Sequence, residues 1–357
     1  MAEKDEKKKQ SPKKKSALSL VMIVVAVITV VIGGGGYFYV SSGVNQTINS
    51  DKVTLFTVNN GETLLKLCAR LEKQQMVSGC LPLKIHSKIS DTYTKIKSGT
   101  YEIEPEMPLS AFLLAVVEGR QKQYAFTIIE GENIYQVLDK IDKAKYLNND
   151  LKGKSIKKVA EALDLPYESP EGWLYPETYN YALNSTASDL LKRAIAKQKS
   201  LLTSLWPDRR GNLTIYKPYQ ALILASIIEK ESSADAERSV ISSVFHNRLR
   251  DGMRLQTDPT VIYGIWHEYE GDITRQHLKQ KTRYNTYRID GLPPTPIANA
   301  SKASLEAALN PASTDYYYFV ASGDGEHVFN QTLEQHNRAV RNYLRKQRLE
   351  SLKKNNG

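Results

Sequence analysis

The chain of 357 residues contains an apolar run that ends in two acids, Ala221-Leu-Ile-Leu-Ala-Ser-Ile-Ile-Glu-Lys-Glu231. Residues three, four and seven positions apart share one face of a helix. Counted back from Glu231, these positions hold only apolar side chains, namely Ile228, Ile227 and Leu224. We therefore predict a helix from about Pro218 to Glu231, with a carboxyl group on an apolar stripe at its C-terminal end.

The position of Glu231 has a chemical consequence. An apolar environment disfavours the ionised carboxylate, and so does the negative end of the helix dipole, so the pKa of Glu231 should rise. A carboxyl group that keeps its proton near neutral pH can act as the general acid in the cleavage of a glycosidic bond. The spacing alone also fits a solvated surface residue at a helix end, so this role needs support from the rest of the sequence.

That support comes from several motifs that follow one another along the chain. Together they closely resemble the MltG (YceG-like) family of endolytic murein transglycosylases, over about residues 53 to 345. The segments that carry the resemblance are Glu171-Gly-Trp-Leu-Tyr-Pro-Glu-Thr-Tyr179, Ala225-Ser-Ile-Ile-Glu-Lys-Glu231, Gln256-Thr-Asp-Pro-Thr-Val-Ile-Tyr-Gly264, Tyr284-Asn-Thr-Tyr287 and Gly291-Leu-Pro-Pro294.

The resemblance implies an enzyme that cleaves the β-1,4 bond between N-acetylmuramic acid and N-acetylglucosamine within glycan strands. One Glu protonates the leaving oxygen and then takes a proton from the C6 hydroxyl of the muramic acid, which closes onto C1. The product is a 1,6-anhydro end, no water or cofactor is consumed, and one carboxylate suffices, unlike in ordinary glycosidases. Glu231 matches the catalytic Glu of the family. The family is also linked to bifunctional peptidoglycan synthases, so we expect cleavage to end the growth of nascent strands.

Further site residues are expected from the matching motifs and from side-chain chemistry. Amide and hydroxyl groups suit hydrogen bonds to sugars, and aromatic rings suit stacking on them. We expect substrate contacts from a loop and from a second cluster, Gln256, Thr257, Asp258, Tyr284, Asn285 and Tyr287. Asp258 fits equally well as a cap of the segment that begins at Pro259, and the tyrosines fit equally well as a core pair. Glu229 is expected to support the site from another face of the helix, and His327 to be a structural hydrogen-bonding residue.

Two other functions remain open. A hydrolytic muramidase would use Asp258 or another acid to activate water, and its product ends would be heavier by one water. A non-catalytic glycan-binding scaffold would bind strands without cleaving them. The sequence contains no GxSxG, HExxH, Walker A or GxGxxG motif, and its six histidines are scattered, so we expect neither another catalytic class nor a metal site.

The net charge of +10 is concentrated at the two ends of the chain. Residues 1–15 carry a net charge of +4 and residues 338–354 one of +6, which leaves the body of the chain neutral. A nucleic-acid-binding domain would carry a basic patch of its own. The charge distribution therefore argues against nucleic acid as a partner.

An uncharged span near the N-terminus predicts a membrane anchor. Residues 17–40 contain no charged side chain and are long enough to cross a bilayer. Three lysines at 13–15 precede the span, and the aromatic residues 37–39 suit the membrane interface. We expect a single-pass protein of the cell inner membrane, with a cytoplasmic N-terminus and a periplasmic catalytic domain. A cleaved signal peptide is the alternative, although the span is long for one.

Cys68 and Cys80 are the two cysteines of the chain. In an exported domain they can pair and close a small loop. Two free thiols, one of them buried on a helix, are the alternative.

The pattern of elements predicts a mixed α+β fold. The small strands and helices after the span resemble a LysM-like module, a fold used to grip glycan chains, and a plain packing subdomain fits that segment nearly as well. The C-terminal helix, from Leu333 to about Leu352, is expected to project into solvent. The predicted order is a basic cytoplasmic tail (1–15), a transmembrane helix (16–40), a polar linker (41–52), the LysM-like module (53–121), the catalytic domain (122–345) and a basic C-terminal end (346–357).

Overall fold

The computed structural model describes residues 16–231 and 234–355. The predicted cytoplasmic tail, residues 1–15, lies outside the described residues. The chain divides into two compact units, Met1–Gln123 and Tyr124–Gly357, and both contain helices and strands. The mixed α+β class expected from the sequence is therefore confirmed.

The N-terminal unit begins with a long apolar helix and continues as a small module of helices and strands. Its elements are α1 (Ser16–Val44), β1 (Thr54–Val58), α2 (Leu64–Lys73), α3 (Leu81–Ile89), β2 (Gly99–Ile103) and α4 (Leu109–Glu118). Strands β1 and β2 pair antiparallel, with Phe56 opposite Tyr101. Helix α2 starts where the Thr63 side chain accepts a hydrogen bond from the backbone N–H of Lys66.

Helix α1 is the element that bears on a membrane. Its stretch Ser19–Val44 is long and apolar enough to cross a bilayer. The helix continues past the predicted end of the span to Val44, which is buried in the module. Ile48 is fully buried as well, and its N–H donates to the carbonyl of Met107 at 2.9 Å. The segment 41–52, expected as a polar linker, is therefore helical as far as Val44, and Val44 and Ile48 pack into the module.

A disulfide joins Cys68 on α2 to Cys80, the residue that precedes α3, with the two Cα atoms 5.9 Å apart. Cys68 is fully buried in the apolar core of the module, which also contains Leu67 and Leu71. The bond ties the two neighbouring helices of the module together.

The C-terminal unit is mainly helical, with two small two-stranded sheets. Its elements are β3 (Gln123–Thr127), α5 (Ile134–Lys143), α6 (Ile156–Ala162), β4 (Thr178–Ala182), α7 (Ala187–Leu205), α8 (Pro218–Glu231), α9 (Asp235–Arg250), α10 (Asp258–Gly264), α11 (Arg275–Lys279), α12 (Lys302–Leu309), β5 (Tyr318–Ala321), β6 (His327–Asn330) and α13 (Leu333–Asn355). Strand β3 pairs with β4, and β5 pairs antiparallel with β6, with Phe319 opposite Phe329.

Helix α8 runs through the core of this unit. It has the bounds predicted from the sequence, and every residue from Ala221 to Ile228 is buried. A helix that is apolar on all sides must be covered on all sides, and α9, α10 and α12 pack against it. Ser226 is the polar residue of the run, and its hydroxyl accepts a hydrogen bond from the N–H of Ile297 at 3.0 Å. This bond ties the middle of α8 to the segment that precedes α12.

The sequence predicts that the C-terminal helix projects into solvent. In the structure it does not do so over its whole length. Its first turns pack on the hairpin of β5 and β6, where the His336 ring stacks on Tyr318 at a centroid distance of 5.3 Å. Beyond residue 340 its described side chains are mostly exposed. The prediction is therefore wrong for the start of α13, which carries apolar and aromatic contacts that the charge pattern does not reveal.

Candidate active site

Glu231 is the last residue of α8, and it is partly buried. The residues that share its face of the helix are fully buried, as the spacing predicted: Leu224, Ile227 and Ile228. The hydroxyl of Thr257 donates a hydrogen bond to Oε1 of Glu231. One oxygen of the carboxyl group is thus fixed by a neutral donor.

The residue that holds Glu231 is itself held by the backbone. Gln256 adopts a left-handed conformation with φ of 50°, which turns the chain just before α10. The N–H of Thr257 donates to Oγ1 of Thr286 at 3.0 Å, and the hydroxyl of Thr260 donates to the Thr257 carbonyl at 2.7 Å. The turn before α10 therefore presents the Thr257 hydroxyl to Glu231 from a fixed frame.

Burial raises the pKa of Glu231 above its usual range. The hydrogen bond from Thr257 favours the ionised form and counteracts this rise, whereas the neighbouring charge of Asp258 adds to it. The charge of His327, when its ring is protonated, and the charge of Arg248 act in the lowering direction. Glu231 therefore keeps its proton to higher pH than a solvated Glu does, which is the property required of a general acid.

Glu231 lines a cavity of about 380 Å³. Four other residues predicted from the sequence line it too: Gln256, Thr257, Asp258 and Tyr287. The rest of the wall comes from elements that the sequence did not connect with the site, chiefly α9, the hairpin of β5 and β6, and the start of α13. Their lining residues, with the neighbouring Leu255, are Phe245, Arg248, Tyr318, Phe319, Val320, Ala321, His327, Leu333 and His336.

Arg248 joins these walls to one another. Its Nε donates to the carbonyl of Tyr317 at 2.6 Å, just before β5, and its Nη1 donates to the carbonyl of Leu255 at 2.7 Å, just before α10. Its guanidinium lies 5.1 Å from the centre of the Tyr318 ring. The sequence contains no local signal for this role, since one of the acceptors is 69 residues away along the chain.

Asp258 is exposed and occupies the first turn of α10. The N-cap of that helix is Thr257, and no side chain makes a capping hydrogen bond there. Instead, Oδ1 of Asp258 accepts a hydrogen bond from the hydroxyl of Tyr287 at 2.7 Å. The capping alternative for Asp258 is therefore wrong, and Asp258 and Tyr287 form a polar pair in the cavity wall.

Asn285 does not line this cavity. It is fully buried, and its amide nitrogen donates to three carbonyls at the C-terminal end of α11, those of His277, Leu278 and Gln280. Its Oδ1 accepts a hydrogen bond from the N–H of Tyr287 at 3.0 Å. The expected substrate contact is therefore corrected: Asn285 fixes the segment that carries Tyr287, because its side-chain amide is used in bonds to nearby backbone groups.

Tyr284 does not line this cavity either. Its ring packs edge-on against Tyr263 at a centroid distance of 4.7 Å, and its hydroxyl lies 3.0 Å from Oγ1 of Thr295. These contacts place Tyr284 with the packed aromatic residues of the unit, which corresponds to the alternative of a core residue.

Glu229 lies on another face of α8, and only 6% of its side chain is exposed. Its Oε2 accepts hydrogen bonds from the N–H of Ser301, at 2.9 Å, and from the Ser301 hydroxyl, at the start of α12. The guanidinium of Arg238, on α9, lies 3.7 Å from its Oε1. Glu229 thus ties α8, α9 and α12 together two residues before Glu231.

The cavity wall combines hydrogen-bonding side chains with aromatic rings. Carboxyl, hydroxyl and amide groups come from one side, and aromatic residues and histidines come from the other. Within residues 16–231 and 234–355 there is no cluster of three or more His, Cys, Asp or Glu side chains that could hold a metal ion.

Comparisons with known proteins agree on one family. A model of the YceG-like family matches residues 56–342. A Bacillus subtilis protein named endolytic murein transglycosylase is 30% identical over 338 residues, which cover 86% of this chain and 90% of that relative. A Streptococcus pneumoniae protein of the same name is 24% identical over 330 residues, which cover 83% of this chain and 59% of that longer relative.

One solved structure is also similar. It is a yceG-like protein from Listeria monocytogenes that is 28% identical, with a TM-score of 0.48. The match covers 81% of this chain and 99% of that chain.

Proposed function

This chain belongs to the YceG-like family, and on that premise we propose that it is an endolytic lytic transglycosylase of peptidoglycan. Its proposed substrate is the β-1,4 bond between N-acetylmuramic acid and N-acetylglucosamine within a glycan strand. One observation supports this most directly. Glu231, a carboxyl group whose pKa is raised by burial, lines a cavity of polar and aromatic side chains.

In the proposed reaction, protonated Glu231 gives its proton to the oxygen that bridges the two sugars. The bond between that oxygen and C1 of the muramic acid breaks. The carboxylate then takes the proton of the C6 hydroxyl of the same sugar, and the C6 oxygen forms a bond to C1. One strand becomes two, one with a 1,6-anhydro end and one with a free 4-hydroxyl, and water is not consumed.

Thr257 suits both halves of this cycle. Its hydroxyl donates to Glu231, so it stabilises the carboxylate that forms when the proton leaves. Burial favours return of the proton when the C6 hydroxyl is deprotonated. The two opposing effects keep the carboxyl group able to act as acid and then as base.

A hydrolytic muramidase is the second candidate function, because Asp258 lines the same cavity as Glu231. In that reaction a carboxylate would activate water for attack on C1. The bond from Tyr287 to Oδ1 of Asp258 occupies one of its acceptor oxygens and disfavours this role.

Product mass separates the two functions. The full chain in detergent micelles would be incubated with purified peptidoglycan, and the released glycans sized and weighed. We expect fragments from cleavage inside strands, with muramic acid ends lighter by one water than hydrolysis would give. Ends that carry the extra water would establish the muramidase, and intact strands that stay bound to the protein would establish a non-catalytic scaffold.

We also propose that the N-terminal unit is a single-pass membrane anchor followed by a LysM-like glycan-gripping module. Helix α1 supports the anchor by its length and apolar composition. The order β1, α2, α3, β2, with the strands antiparallel, supports the resemblance to LysM.

With a cytoplasmic N-terminus, the catalytic unit would meet nascent strands in the periplasm and end their growth beside bifunctional synthases. A reporter that works only in the periplasm, fused after Gly357, should then be active, and an inactive reporter would contradict this topology.

A further inference from the structure

His327 occupies an unusual setting in the wall of the Glu231 cavity. It is the first residue of β6, and its ring nitrogen Nδ1 lies 2.7 Å from Oε2 of Glu237. Its backbone N–H donates to Oε1 of the same carboxylate at 2.8 Å. Both side chains are largely buried, with 17% of His327 and 15% of Glu237 exposed. One carboxylate on α9 therefore clamps the ring and the backbone of His327 together.

The clamp determines which nitrogen of the ring remains available. Burial alone would raise the pKa of Glu237, but the hydrogen bonds from the His327 side chain and backbone outweigh it and lower that pKa. An ionised carboxylate is only an acceptor, so in the neutral form of the imidazole the proton resides on Nδ1. Nε2 then carries a lone pair, and among the described residues we find no hydrogen bond to it. Phe319 packs edge-on against the ring at 5.4 Å, which fixes its plane.

A structural histidine of the same unit provides the contrast. His246 has both ring nitrogens engaged, since Nδ1 lies 2.7 Å from Oγ1 of Thr214 and Nε2 lies 3.0 Å from the carbonyl of Ala308. His327 has one nitrogen held by a buried carboxylate and the other unused, in a residue that lines the cavity. A carboxylate that accepts from one ring nitrogen sets the orientation of the imidazole and leaves the other nitrogen for a further contact.

We propose that His327 is a substrate contact in the Glu231 cavity, where Nε2 of the neutral ring accepts a hydrogen bond from an N–H or hydroxyl group of the glycan strand. Glu237 is the positioning residue, because it holds the proton on Nδ1 and so keeps Nε2 an acceptor. The inference rests on the proposed function and adds a residue to it. It also adds a substrate contact to the structural hydrogen bonding that the sequence predicts for His327.

The test measures binding without turnover. Full-length Glu231→Gln protein in detergent micelles is titrated with peptide-free glycan strands prepared from peptidoglycan, and Kd is determined. Adding His327→Ala should weaken binding about two- to thirteenfold, the loss of one hydrogen bond. His327→Phe fills the space of the ring without a nitrogen and should weaken binding equally, which keeps the test decisive if the Ala variant does not fold.

The role of Glu237 is tested by a double-mutant cycle. Glu237→Gln can donate to Nδ1 and turn Nε2 into a donor, so it should weaken binding in the presence of His327 and have little further effect when His327 is Ala. A merely structural Glu237 would give effects that add. Glu326→Gln, an exposed neighbour of His327, is the control and should bind like the parent.

The outcomes distinguish this inference from the function on which it rests. Unchanged Kd in both His327 variants would overturn the substrate contact and leave the transglycosylase proposal standing. If the Glu231→Gln parent does not bind glycan strands, the proposed function fails, and the contact from His327 fails with it.

Discussion

The substitution Glu171→Gln should flatten the pH dependence of stability in the C-terminal unit. Glu171 is fully buried, and its Oε2 accepts a hydrogen bond from the N–H of Ile134 at 2.9 Å. Burial raises the pKa of its carboxyl group from 4.5 to about 8, despite that bond. Because the folded pKa lies above the unfolded one, the stabilisation is full below pH 4.5 and is lost as the pH rises through 8. At about 1.4 kcal/mol per pH unit, the loss amounts to about 5 kcal/mol.

Urea unfolding of the full chain, followed by tryptophan fluorescence, measures this loss. All three tryptophans lie in the C-terminal unit, so the signal reports on that unit. Between pH 5 and 8 the free energy of unfolding should fall by about 3–4 kcal/mol through this group in the wild type and should lack that fall in Glu171→Gln. Glu161→Gln, on the exposed side of α6, is the matched control and should keep the wild-type slope. Equal slopes in Glu171→Gln and the wild type would refute the reasoning.

Three further variants test single contacts. Thr257→Val removes the hydrogen bond that lowers the pKa of Glu231, so the high-pH limb of the activity profile should move to higher pH; an unmoved limb would contradict that contact. Asn285→Ala should lower the free energy of unfolding by about 1–3 kcal/mol and leave activity recoverable on cooling, whereas lost activity at full stability would place Asn285 in the site. Replacing Cys68 and Cys80 with Ala should lower the stability of the N-terminal module by about 3 kcal/mol, measured by amide hydrogen exchange, and unchanged protection would mean that the bond contributes little.

The parts of the site that the sequence predicts are those set by local periodicity. The apolar run before Glu231 determines both the bounds of α8 and the face on which the carboxyl group lies, because helix spacing alone relates Leu224, Ile227 and Ile228 to it. Thr257 and Asp258 follow in a motif close enough in sequence to be assigned to the same site. In the structure both line the cavity with Glu231.

The part of the cavity wall formed by α9, the hairpin of β5 and β6 and the start of α13 could not be predicted. It is assembled by contacts between residues far apart in the sequence. Arg248 reaches Tyr317 across 69 residues, and His327 reaches Glu237 across 90. Neither pair leaves a periodic signal in the sequence. Helix α12, by contrast, has a local signal in the sequence, because the Ser301 side chain caps it by accepting from the N–H of Ser304.

Asn285 shows a second limit of sequence reasoning. A buried amide that binds three backbone carbonyls and an amide that binds a sugar require the same chemistry, so residue type cannot separate them. The fold separates them, since it places the carbonyls at the C-terminal end of α11 within reach of the Asn285 side chain.

The most direct test of the account compares two isosteric substitutions on one helix, Glu231→Gln and Glu229→Gln. Each full-length variant would be incubated with peptidoglycan, and 1,6-anhydro ends would be counted by mass spectrometry, with circular dichroism to verify folding. Glu231→Gln should yield no anhydro ends above background, because Gln has no proton to transfer. Glu229→Gln keeps an acceptor for Ser301 and should retain measurable activity. Anhydro ends from Glu231→Gln at a rate near that of the wild type would contradict the assignment of Glu231 as the general acid.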